Sequence, residues 1–548
     1  MKLHLTIMLA AGMLATNLQA QTFLWAKSGG NADENFSPNS VTDKQGNTWS
    51  GCNYSGEFHL GDFYFTSAGS QDFVLSKINK NGNCVFAVNC GGTDGDAILS
   101  VDLDPAGNAL IICGAFYGTT NILGTELISN GSSDAFIASV SFAGELKWIK
   151  QFGGLDYDLF EDVAVDQYGF IYTTGYAESD IHFAGSTWLG DGWPAVFACK
   201  YSPDGIEMWL RKGDGVDGGD WSQSGKIEVD KDQNVYWGGF YYGQFSLGAF
   251  TINDGNPHVF FSKLNVSGVP LWVRDYNAFE GAFYWDMDID RTGNIYMGGQ
   301  FENELNFDGY ILETSDPLGT NGYLVRINGN DGSTAWVKQV LCDKNSIIHG
   351  VKVLNKNIVV AVGEYQDVAS YDDLLLYNDA LPEYDGMLIK ANTATGAGIM
   401  TFAFNADAQV SAQHVGYDKS GNIYVTGGFK ETLNLGGTPP LTSYGGWDPL
   451  FTKISGLIPR EENADAAEME IESPVSIYPN PASTSITISF DEELSAAEFI
   501  TITDILGNEV MVINKEEGNT ISIDISGLAP GIYYAAGGEV SARFIKVN

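Results

Sequence analysis

The sequence is poor in basic residues and in long apolar runs, and both shortages exclude classes of partner. Lys and Arg number 28 against 69 Asp and Glu, which gives a formal net charge of −41. Nucleic acids and anionic membrane surfaces repel so acidic a chain, so neither is an expected partner. No apolar run approaches the roughly 20 residues that a membrane-spanning helix needs. We therefore expect no membrane-spanning segment.

Motifs of enzyme catalysis are also missing. The sequence contains no HExxH, no G-x-S-x-G and no phosphate-binding glycine loop. A pair of carboxylates for glycoside cleavage stays open, because Asp and Glu are abundant along the whole chain. We therefore assign no catalytic residue, and the sequence leaves enzymatic activity uncertain while favouring its absence.

Cysteines are few, and none has the CxxC spacing that is typical of a zinc site. Six cysteines allow fifteen complete disulfide pairings, among which a sequence cannot choose. Cys84 and Cys90 share one predicted strand, so they would lie too far apart to bridge each other if it is extended. Disulfides and buried free thiols remain alternatives for Cys52, Cys84, Cys90, Cys113, Cys199 and Cys342.

The first twenty residues have the pattern of an export signal. Lys2 precedes a mostly apolar run from Leu3 to Leu14, and Leu18-Gln19-Ala20 ends in a small residue. This run is too short for a membrane anchor, which is the alternative interpretation. Residues 1–20 are therefore predicted to be a signal peptide, and the mature chain is expected to begin near Gln21 outside the cytoplasm.

What the sequence does have is an internal repeat. The phrase GNIYMGGQFENELNFDG, which begins at Gly293, returns almost unchanged as GNIYVTGGFKETLNLGG from Gly421. Weaker copies share a D-x-x-G-N turn, and the successive spacings are 61, 62, 64, 60, 63 and 65 residues between Gly46, Gly107, Gly169, Gln233, Gly293, Lys356 and Gly421. A large apolar side chain keeps the same period at Trp25, Phe86, Trp148, Trp209, Trp272, Trp336 and Met400. A strand that ends in a basic residue is a third landmark, so seven repeats are predicted.

Each repeat has the pattern of four short strands joined by tight turns. About 62 residues in four strands cannot bury a core alone, so the repeats must pack against one another. Four strands per repeat are typical of a propeller blade rather than of a solenoid coil. The predicted fold is therefore all-β, with residues 21–456 forming a seven-bladed β-propeller of four-stranded blades.

The two ends of the repeat region predict how such a ring closes. The segment around Trp25 is a fourth strand without a blade before it, and the last repeat ends at DPLFTKIS without its own fourth strand. Unpaired strand edges invite aggregation. We therefore expect the N-terminal strand to complete the last blade.

The repeated residues have structural explanations. The turn Asp is expected to bind its own turn through its side chain, while Gly takes the positive φ that a hairpin needs. The repeated Trp residues are expected to pack between neighbouring blades. Five others lie outside that register and are candidate exposed platforms for sugar rings or partner surfaces: Trp188, Trp193, Trp221, Trp285 and Trp447.

Acidic loops follow the strands that carry the repeated Trp. They are GGTDGD from Gly91, GGLDYD from Gly153 and GDGVDGGD from Gly213. Oxygen-rich loops suit Ca²⁺, so a calcium site is one interpretation. The other is that the carboxylates accept hydrogen bonds from loop amides and water. The runs lack the frame of an EF-hand, so we assign no metal ligands.

The C-terminal part of the chain has a different character. Residues 457–473 are charged and read as an acidic linker. Residues 474–548 alternate in the manner of a small antiparallel β-sandwich, with strands such as SITISF, ISIDIS and ARFIKV.

The tail resembles the type A C-terminal sorting domain of the type IX secretion system in Bacteroidetes bacteria. The resemblance rests on VSIYPNPAS, DILGNEV, DISGLAPGIYY and the terminal ARFIKVN. It implies that the type IX machinery guides the chain from the periplasm across the outer membrane, and that the domain is then removed, which leaves the protein released or surface-attached. It also implies a sorting signal at Tyr478, Pro479, Asn480, Pro481, Gly531, Tyr533 and Lys546. The repeats separately resemble the seven-bladed propeller repeats of bacterial secreted proteins, which implies a fold but no activity.

The leading functional hypothesis is a secreted or cell-surface binding protein that presents the loops of a rigid ring to a glycan or protein ligand. The alternatives are a glycan-cleaving propeller enzyme with carboxylates near the ring axis, and a structural surface scaffold. Carboxylates that break the repeat pattern at one channel mouth, with raised pKa values, would favour the enzyme. The sequence alone identifies neither the ligand nor the oligomeric state.

Overall fold

The structure is a computed structural model of the 548-residue chain. It describes residues 22–31, 39–104, 109–178, 180–188, 194–213, 221–279, 282–314, 316, 319–378, 383–404, 409–455, 475–478, 483–490, 499–504, 509–514, 520–529, 531–537 and 540–546. The predicted signal peptide (1–20) and acidic linker (457–473) lie outside these residues. The chain divides into two compact units, Met1–Ile458 and Pro459–Asn548.

The expectation of an all-β protein is confirmed. The described residues form 45 strands and no helix, and none of them forms a helix long and apolar enough to cross a membrane. In the described part of the first unit, antiparallel pairing joins the strands into eight sheets of two to eight strands. Within these sheets seven sets of four successively paired strands recur, which are named set 1 to set 7 in the order of their first strands. The hairpins that begin with β4 (Glu57–Leu60), β24 (Glu304–Phe307) and β30 (Val368–Tyr371) pair with the fourth strands of sets 7, 4 and 5, respectively.

The first three sets follow one another along the chain. Set 1 contains β2 (Asn39–Thr42), β3 (Thr48–Tyr54), β6 (Asp72–Ile78) and β7 (Cys84–Gly92), with a hairpin of β4 (Glu57–Leu60) and β5 (Phe63–Thr66). Set 2 contains β8 (Asp96–Asp104), β9 (Ala109–Ile122), β10 (Thr125–Ser141) and β11 (Leu146–Phe152). Set 3 contains β12 (Asp158–Val165), β13 (Ile171–Ala177), β16 (Ala195–Tyr201) and β17 (Glu207–Lys212), with a hairpin of β14 (Ile181–Phe183) and β15 (Ser186–Trp188).

Sets 4 to 6 repeat this arrangement. Set 4 contains β18 (Trp221–Val229), β19 (Val235–Leu247), β20 (Phe250–Leu264) and β21 (Pro270–Phe279). Set 5 contains β22 (Phe283–Ile289), β23 (Ile295–Glu302), β26 (Thr320–Ile327) and β27 (Thr334–Cys342), with a hairpin of β24 (Glu304–Phe307) and β25 (Tyr310–Glu313). Set 6 contains β28 (Ser346–Asn355), β29 (Ile358–Tyr365), β32 (Asp385–Asn392) and β33 (Gly398–Ala403), with a hairpin of β30 (Val368–Tyr371) and β31 (Leu374–Tyr377).

Set 7 joins the two ends of the repeat region. It contains β34 (Val410–Tyr417), β35 (Ile423–Phe429), β38 (Asp448–Ile454) and the N-terminal strand β1 (Phe23–Gly30), with a short pair of β36 (Thr432–Leu433) and β37 (Leu441–Thr442). β1 runs antiparallel to β38, with Trp25 opposite Lys453 and Ser28 opposite Leu450. The fourth strand of this set therefore comes from the other end of the chain.

In sets 1 to 5 and in set 7, the aromatic residue on the fourth strand packs on the next set, as predicted, whereas set 6 carries Met400 at this position. The Trp148 indole Nε1 donates to the carbonyl of Pro203 at 3.0 Å, in the turn between the third and fourth strands of set 3. A Cβ added to Gly205 in that turn would lie 2.8 Å from the Trp148 ring, so the turn needs glycine there. The same Nε1 bond to a carbonyl recurs in four further places, at Trp25–Lys80, Trp209–Val266, Trp272–Gly329 and Trp336–Thr393.

The D-x-x-G-N turns also behave as predicted. Asp418 Oδ1 accepts from the backbone N–H groups of Ser420 and Asn422, and Oδ2 accepts from the Tyr424 hydroxyl at 2.9 Å. Gly421 has a φ of 77°, which favours glycine. Lys453, from the third strand, places its Nζ 3.3 Å from Asp418 Oδ2. The turn at Gly107 lies outside the described residues.

The cysteines are free thiols, and all except Cys84 are buried. Cys84 and Cys90 both lie on β7, as expected from the sequence. Burial raises the pKa of the Cys52 and Cys90 thiols to about 12, so both are neutral near pH 7. Cys52, Cys90, Cys113 and Cys199 belong to the hydrophobic cores of their sets.

The second unit consists of two antiparallel sheets around one apolar core of Ile, Tyr and Phe side chains. One sheet has the order β39 (Val475–Tyr478), β40 (Ser485–Phe490), β43 (Thr520–Asp524). The other has the order β42 (Glu509–Asn514), β41 (Phe499–Asp504), β44 (Gly531–Gly537), β45 (Val540–Lys546). This is the predicted small sandwich.

The importance of β1 can be tested by replacing Phe23 with Ala. Phe23 is 5% exposed, and its ring centroid lies 5.4 Å from those of both Phe402 and Phe404 at the end of set 6. Removing a buried Phe is expected to lower the free energy of unfolding by about 3–5 kcal/mol. Its neighbour Leu24 is 50% exposed, and Leu24→Ala should cost no more than about 0.5 kcal/mol. Urea unfolding measures both, and equal effects of the two variants would contradict a structural role for β1.

Candidate functional site at the central cavity

The first strands of the sets surround one cavity. β2, β8, β12, β18, β22, β28 and β34 each contact the next first strand in this order, and β34 also contacts β2. The cavity between them has a volume of about 300 Å³. This is at the lower end of the range for small-molecule sites, about 300–1,000 Å³.

Charged side chains line this cavity at positions two and four residues before the D-x-x-G-N turn. Lys44, in the turn of set 1, also lines the cavity. At the two positions before the turn, the lining carboxylates are Asp102, Asp162, Glu228 and Asp286, and the lining ammonium groups are Lys226 and Lys352. We call these six side chains the cavity charges. The same two positions carry Asn39 and Val41 in set 1, and His414 and Gly416 in set 7. The cavity charges therefore break the sequence repeat, which is a feature expected of the enzyme alternative.

Three of the carboxylates bind the backbone of the neighbouring first strand. In each case one Oδ2 accepts a hydrogen bond from an N–H group of the next set: Asp102 from Val165 at 2.8 Å, Asp162 from Ile227 at 3.0 Å, and Asp286 from Val351 at 2.8 Å. These bonds connect the inner strands of adjacent sets. The carboxylates therefore have a structural role whether or not they meet a ligand.

Both lysines are paired across sets. Lys226 Nζ lies 3.3 Å from Asp162 Oδ1, and Lys352 Nζ lies 2.8 Å from Asp288 Oδ1. Burial disfavours the charge on each lysine, but the surrounding carboxylates outweigh it and raise the pKa of both ammonium groups above the usual value. Both lysines therefore stay positively charged at neutral pH.

Asp102, Asp286 and Glu228 have pKa values above those of ordinary carboxyl groups. Burial raises the pKa of Asp102 to about 7 and that of Asp286 to about 6, despite the backbone N–H groups that stabilise their charged forms. Burial likewise raises the pKa of Glu228 well above its usual value, against the opposing charge of Lys352. Burial, Lys226 and His349 together lower the pKa of His414 to about 3, so this imidazole is neutral. The cavity therefore contains groups that exchange protons near neutral pH.

A β-bulge recurs near the beginning of the first strands. One extra residue interrupts the pairing with the second strand at Leu99, Glu161, Trp285, His349 and Gln413. Such bulges change the direction of a side chain relative to a regular strand. In each case the extra residue directly precedes the outer of the two cavity-lining positions.

Trp285, a bulge residue, is the best exposed of the candidate tryptophans for which exposure is described. It is 43% exposed and stacks on Phe283, with centroids 6.1 Å apart and planes 24° apart. The His349 ring lies 5.7 Å away at a tilt, and the Trp285 Nε1 donates to Gln300 Oε1 at 3.4 Å. Phe283 is also exposed. This pair forms an aromatic surface beside the cavity-lining Asp286.

The other candidate tryptophans are not gathered there. Trp188 ends β15 and is half-buried against the core of set 3. Trp447 is half-buried, with Lys430 Nζ 5.2 Å from its ring centre. Trp221 begins β18, opposite Tyr242, and Trp193 lies outside the described residues.

The first two acidic loops use their carboxylates to bind loop amides. Asp96 Oδ2 accepts from Gly92 N at 2.6 Å, and Asp158 Oδ2 accepts from Gly154 N at 2.7 Å. Most of the third loop, 214–220, lies outside the described residues. Among the residues that are described, no group of three or more His, Cys, Asp or Glu side chains is arranged to hold a metal ion.

Several predicted sorting residues meet in the second unit. Gly531 lies opposite Lys546 across the β44–β45 pair, and Tyr533 lies opposite Phe544 and stacks on it. The Tyr533 hydroxyl donates to the Ala529 carbonyl at 2.9 Å, and Lys546 is buried. Tyr478 ends β39, opposite Thr487. Pro479, Asn480 and Pro481 lie outside the described residues.

Sequence reasoning missed the cavity charges and the bulges. An alignment of the repeats with one another could have revealed the cavity charges. In that alignment, the positions two and four residues before the turn vary in charge, while the landmarks around them stay the same. The pairing of Lys226 with Asp162 was not readable, because these residues belong to different repeats 64 positions apart.

Two family models match parts of the chain. Residues 476–544 match the family described as "Secretion system C-terminal sorting domain", and residues 147–182 match the family described as "Beta-propeller repeat". The chain carries a type IX sorting domain and a β-propeller repeat. The sorting domain implies recognition by the type IX machinery and secretion to the cell surface or the extracellular space. No curated protein matches the chain.

Solved structures are similar only at a low level. A protein of unknown function from Bacteroides caccae is 12% identical, over 53% of this chain and 78% of that one, with a TM-score of 0.29. The quinohemoprotein alcohol dehydrogenase of Comamonas testosteroni is 11% identical, over 78% of this chain and 76% of that one, with a TM-score of 0.34. The quinohemoprotein alcohol dehydrogenase ADHIIG of Pseudomonas putida HK5 is 10% identical over 79% and 76%, with a TM-score of 0.37. Likenesses of this size carry no information about activity.

The titration of the cavity can be tested with Asp102→Asn. Because burial raises the pKa of Asp102 from 3.8 to about 7, its contribution to stability is fully present below pH 3.8 and is lost as the pH rises through about 7. Asn stays neutral, so the stability of the variant relative to the parent is expected to increase between about pH 5 and pH 8. Denaturant unfolding across this range measures the difference, with exposed Asp62→Asn as the control. A difference that does not change with pH would contradict the raised pKa.

Proposed function

We propose that the chain is a secreted or cell-surface binding protein of the Bacteroidetes, built as a closed seven-bladed β-propeller over residues 21–456. Each of the seven sets is one blade in this proposal. Three contacts between the first and last sets support closure. The Ser40 and Thr426 hydroxyl oxygens lie 2.6 Å apart, Lys419 N donates to Lys44 O at 3.0 Å, and β1 supplies the fourth strand of set 7.

The exposed Trp285–Phe283 pair is the observation that carries the binding function. Large aromatic faces that remain exposed beside a polar cavity are typical of binding sites. Gln300 and His349 lie against the Trp285 ring and offer polar groups at its edge. An apolar face with polar groups around it suits a sugar ring, so the ligand proposed for this surface is a glycan. A protein ligand is the other outcome of the test.

A glycan array and a titration with its best hit test this proposal. Trp285→Ala is expected to weaken binding by about 30-fold, or about 2 kcal/mol, as for a central aromatic anchor. Tyr377 is exposed on the outer hairpin β30–β31, so Tyr377→Ala is the matched control and should bind normally. Equal binding by the Trp285 variant and the parent would remove the aromatic pair as the site. An array without hits, together with capture of a protein that requires Trp285, would favour a protein ligand.

An extracellular glycan-cleaving enzyme is the second candidate, and the cavity charges are the observation that favours it. Asp286 and Asp102 have pKa values raised toward neutrality, as a general acid requires. These carboxylates also accept hydrogen bonds from neighbouring strands, so a structural role is an alternative explanation of why they are buried. A hydrolase screen on the purified chain distinguishes the two. Turnover that Asp286→Asn abolishes, while glycan affinity is retained, would replace the binding proposal by the enzyme.

A further inference from the structure

The loop Gly91–Asp96, where set 1 meets set 2, lies between two buried carboxylates. Asp72 is 0% exposed and Asp96 is 1% exposed. The backbone of Gly91 passes so close to the Asp72 carboxyl group that a Cβ there would overlap it, and Gly92 N donates to Asp96 Oδ2 at 2.6 Å. Two acidic groups therefore face one dipeptide inside the protein. Burial and the neighbouring Asp72 both raise the free-energy cost of ionising Asp96.

Only one oxygen of each carboxylate is satisfied. Asp72 Oδ2 accepts from Ala68 N and from Asn89 Nδ2, each at 3.0 Å. Among the described residues, neither Asp72 Oδ1 nor Asp96 Oδ1 has a hydrogen-bond partner. Buried carboxylate oxygens without a donor are costly, so both oxygens need a further partner that stabilises them.

A third buried oxygen lies beside Asp96. Thr120 pairs with Gly92 across the β7–β9 contact and is 1% exposed. Burial raises the pKa of Asp96 to about 7, and the Thr120 hydroxyl opposes this shift from beside the carboxylate; among the described residues Thr120 Oγ1 forms no other hydrogen bond. Side chains with buried oxygen atoms from three strands therefore meet at the Gly91–Gly92 backbone.

The next pair of sets shows how the fold satisfies such a carboxylate without a ligand. Asp134 occupies in set 2 the position of Asp72 in set 1. Its Oδ2 accepts from Asn130 Nδ2 at 2.7 Å and from Gln151 Nε2 at 2.6 Å, and both of its oxygens lie 3.3 Å from Asn130 N. Set 1 has Ala68 in the place of Asn130, so Asp72 lacks the side-chain amide that Asp134 Oδ2 receives. Ala68 N donates to Asp72 Oδ2, whereas Asn130 N lies 3.3 Å from Asp134 Oδ1 as well.

We propose that Asp72 Oδ1, Asp96 Oδ1 and Thr120 Oγ1 bind a calcium ion. Ca²⁺ takes six to eight oxygen ligands from carboxylates, carbonyls, hydroxyls and water, so two carboxylates are sufficient when loop carbonyls and water complete the shell. The absence of nitrogen and sulfur donors disfavours Zn²⁺. This specifies the calcium interpretation of the acidic loops, and it is independent of the ligand proposed for Trp285.

Binding there would connect three elements that meet at the boundary between two sets. Asp72 begins the third strand of set 1, Asp96 begins the first strand of set 2, and Thr120 belongs to the second strand of set 2. The ion neutralises two buried negative charges and joins neighbouring sets. Calcium should therefore stabilise the folded chain against heat.

Calorimetric titration and thermal unfolding of the full chain, after chelation, test the site. We expect saturable heat from CaCl₂ at one site and a rise in Tm, both larger than those from MgCl₂ at the same concentration. Asp72→Asn and Asp96→Asn should each weaken Ca²⁺ binding by at least about tenfold. Asp134→Asn is the matched control in set 2 and should leave the Ca²⁺ heat unchanged.

An exposed substitution provides a second test that does not depend on altering a buried acid. Ala68 is exposed, and Ala68→Asn supplies the amide that Asn130 supplies to Asp134. This variant is expected to have a higher Tm than the parent without calcium and a smaller response to it. Absence of Ca²⁺ heat and of a Tm shift in the parent chain would overturn the proposal. Ca²⁺ binding that is unchanged in Asp72→Asn, Asp96→Asn and Ala68→Asn would place the ion elsewhere and would also overturn the proposal.

Discussion

The packing of an aromatic side chain on a glycine turn of the next set, which recurs from every set except set 6, is the interaction on which the repeat region depends. Four strands cannot bury a core alone, so every set needs its neighbour. The Trp148 indole covers Gly205 and donates to Pro203, and the same geometry returns at Trp209, where a Cβ on Gly268 would lie 2.9 Å from the ring. Trp25 makes this contact with Gly82 from the N-terminal strand, so the terminal strand shares in the packing that holds the interior sets together.

This repeated packing creates an electrostatic constraint at the centre. The inner strands converge on one cavity, so a fully repeated sequence would place identical charges side by side there. The chain instead places each of two lysines against an acid of the preceding set, in the pairs Asp162–Lys226 and Asp288–Lys352. Like charges that are buried together destabilise the folded state. Pairing each acid with a lysine or with backbone N–H donors reduces this cost. The break in the repeat therefore has a structural cause. For this reason, acids that line this cavity support catalysis less strongly than the same acids would in an isolated cleft.

The sequence predicted what is local and periodic, and it failed where residues from different repeats meet. The Asp418 turn and the position of Trp148 could be read directly, because hairpin geometry and a fixed period determine both. No local pattern separates exposed Trp285 from half-buried Trp188, since both lie outside the register and the β-bulge at Trp285 is not visible in the sequence. The same holds for Asp72 and Asp134, which occupy equivalent positions but have different partners because of Ala68 and Asn130.

The two ends of the strands have different physical tasks. In each set, the first and second strands join at the D-x-x-G-N turn, and the third and fourth strands join at the turn that receives the aromatic residue. Because the strands are antiparallel, both of these repeated turns lie at the same end of the set. The bulge residues, the acidic loops and the connections between second and third strands lie at the other end. Changes there leave the aromatic–glycine packing intact. Trp285, with Phe283, and the Asp72–Asp96 pair both occur at this second end, where variation between repeats costs the array least.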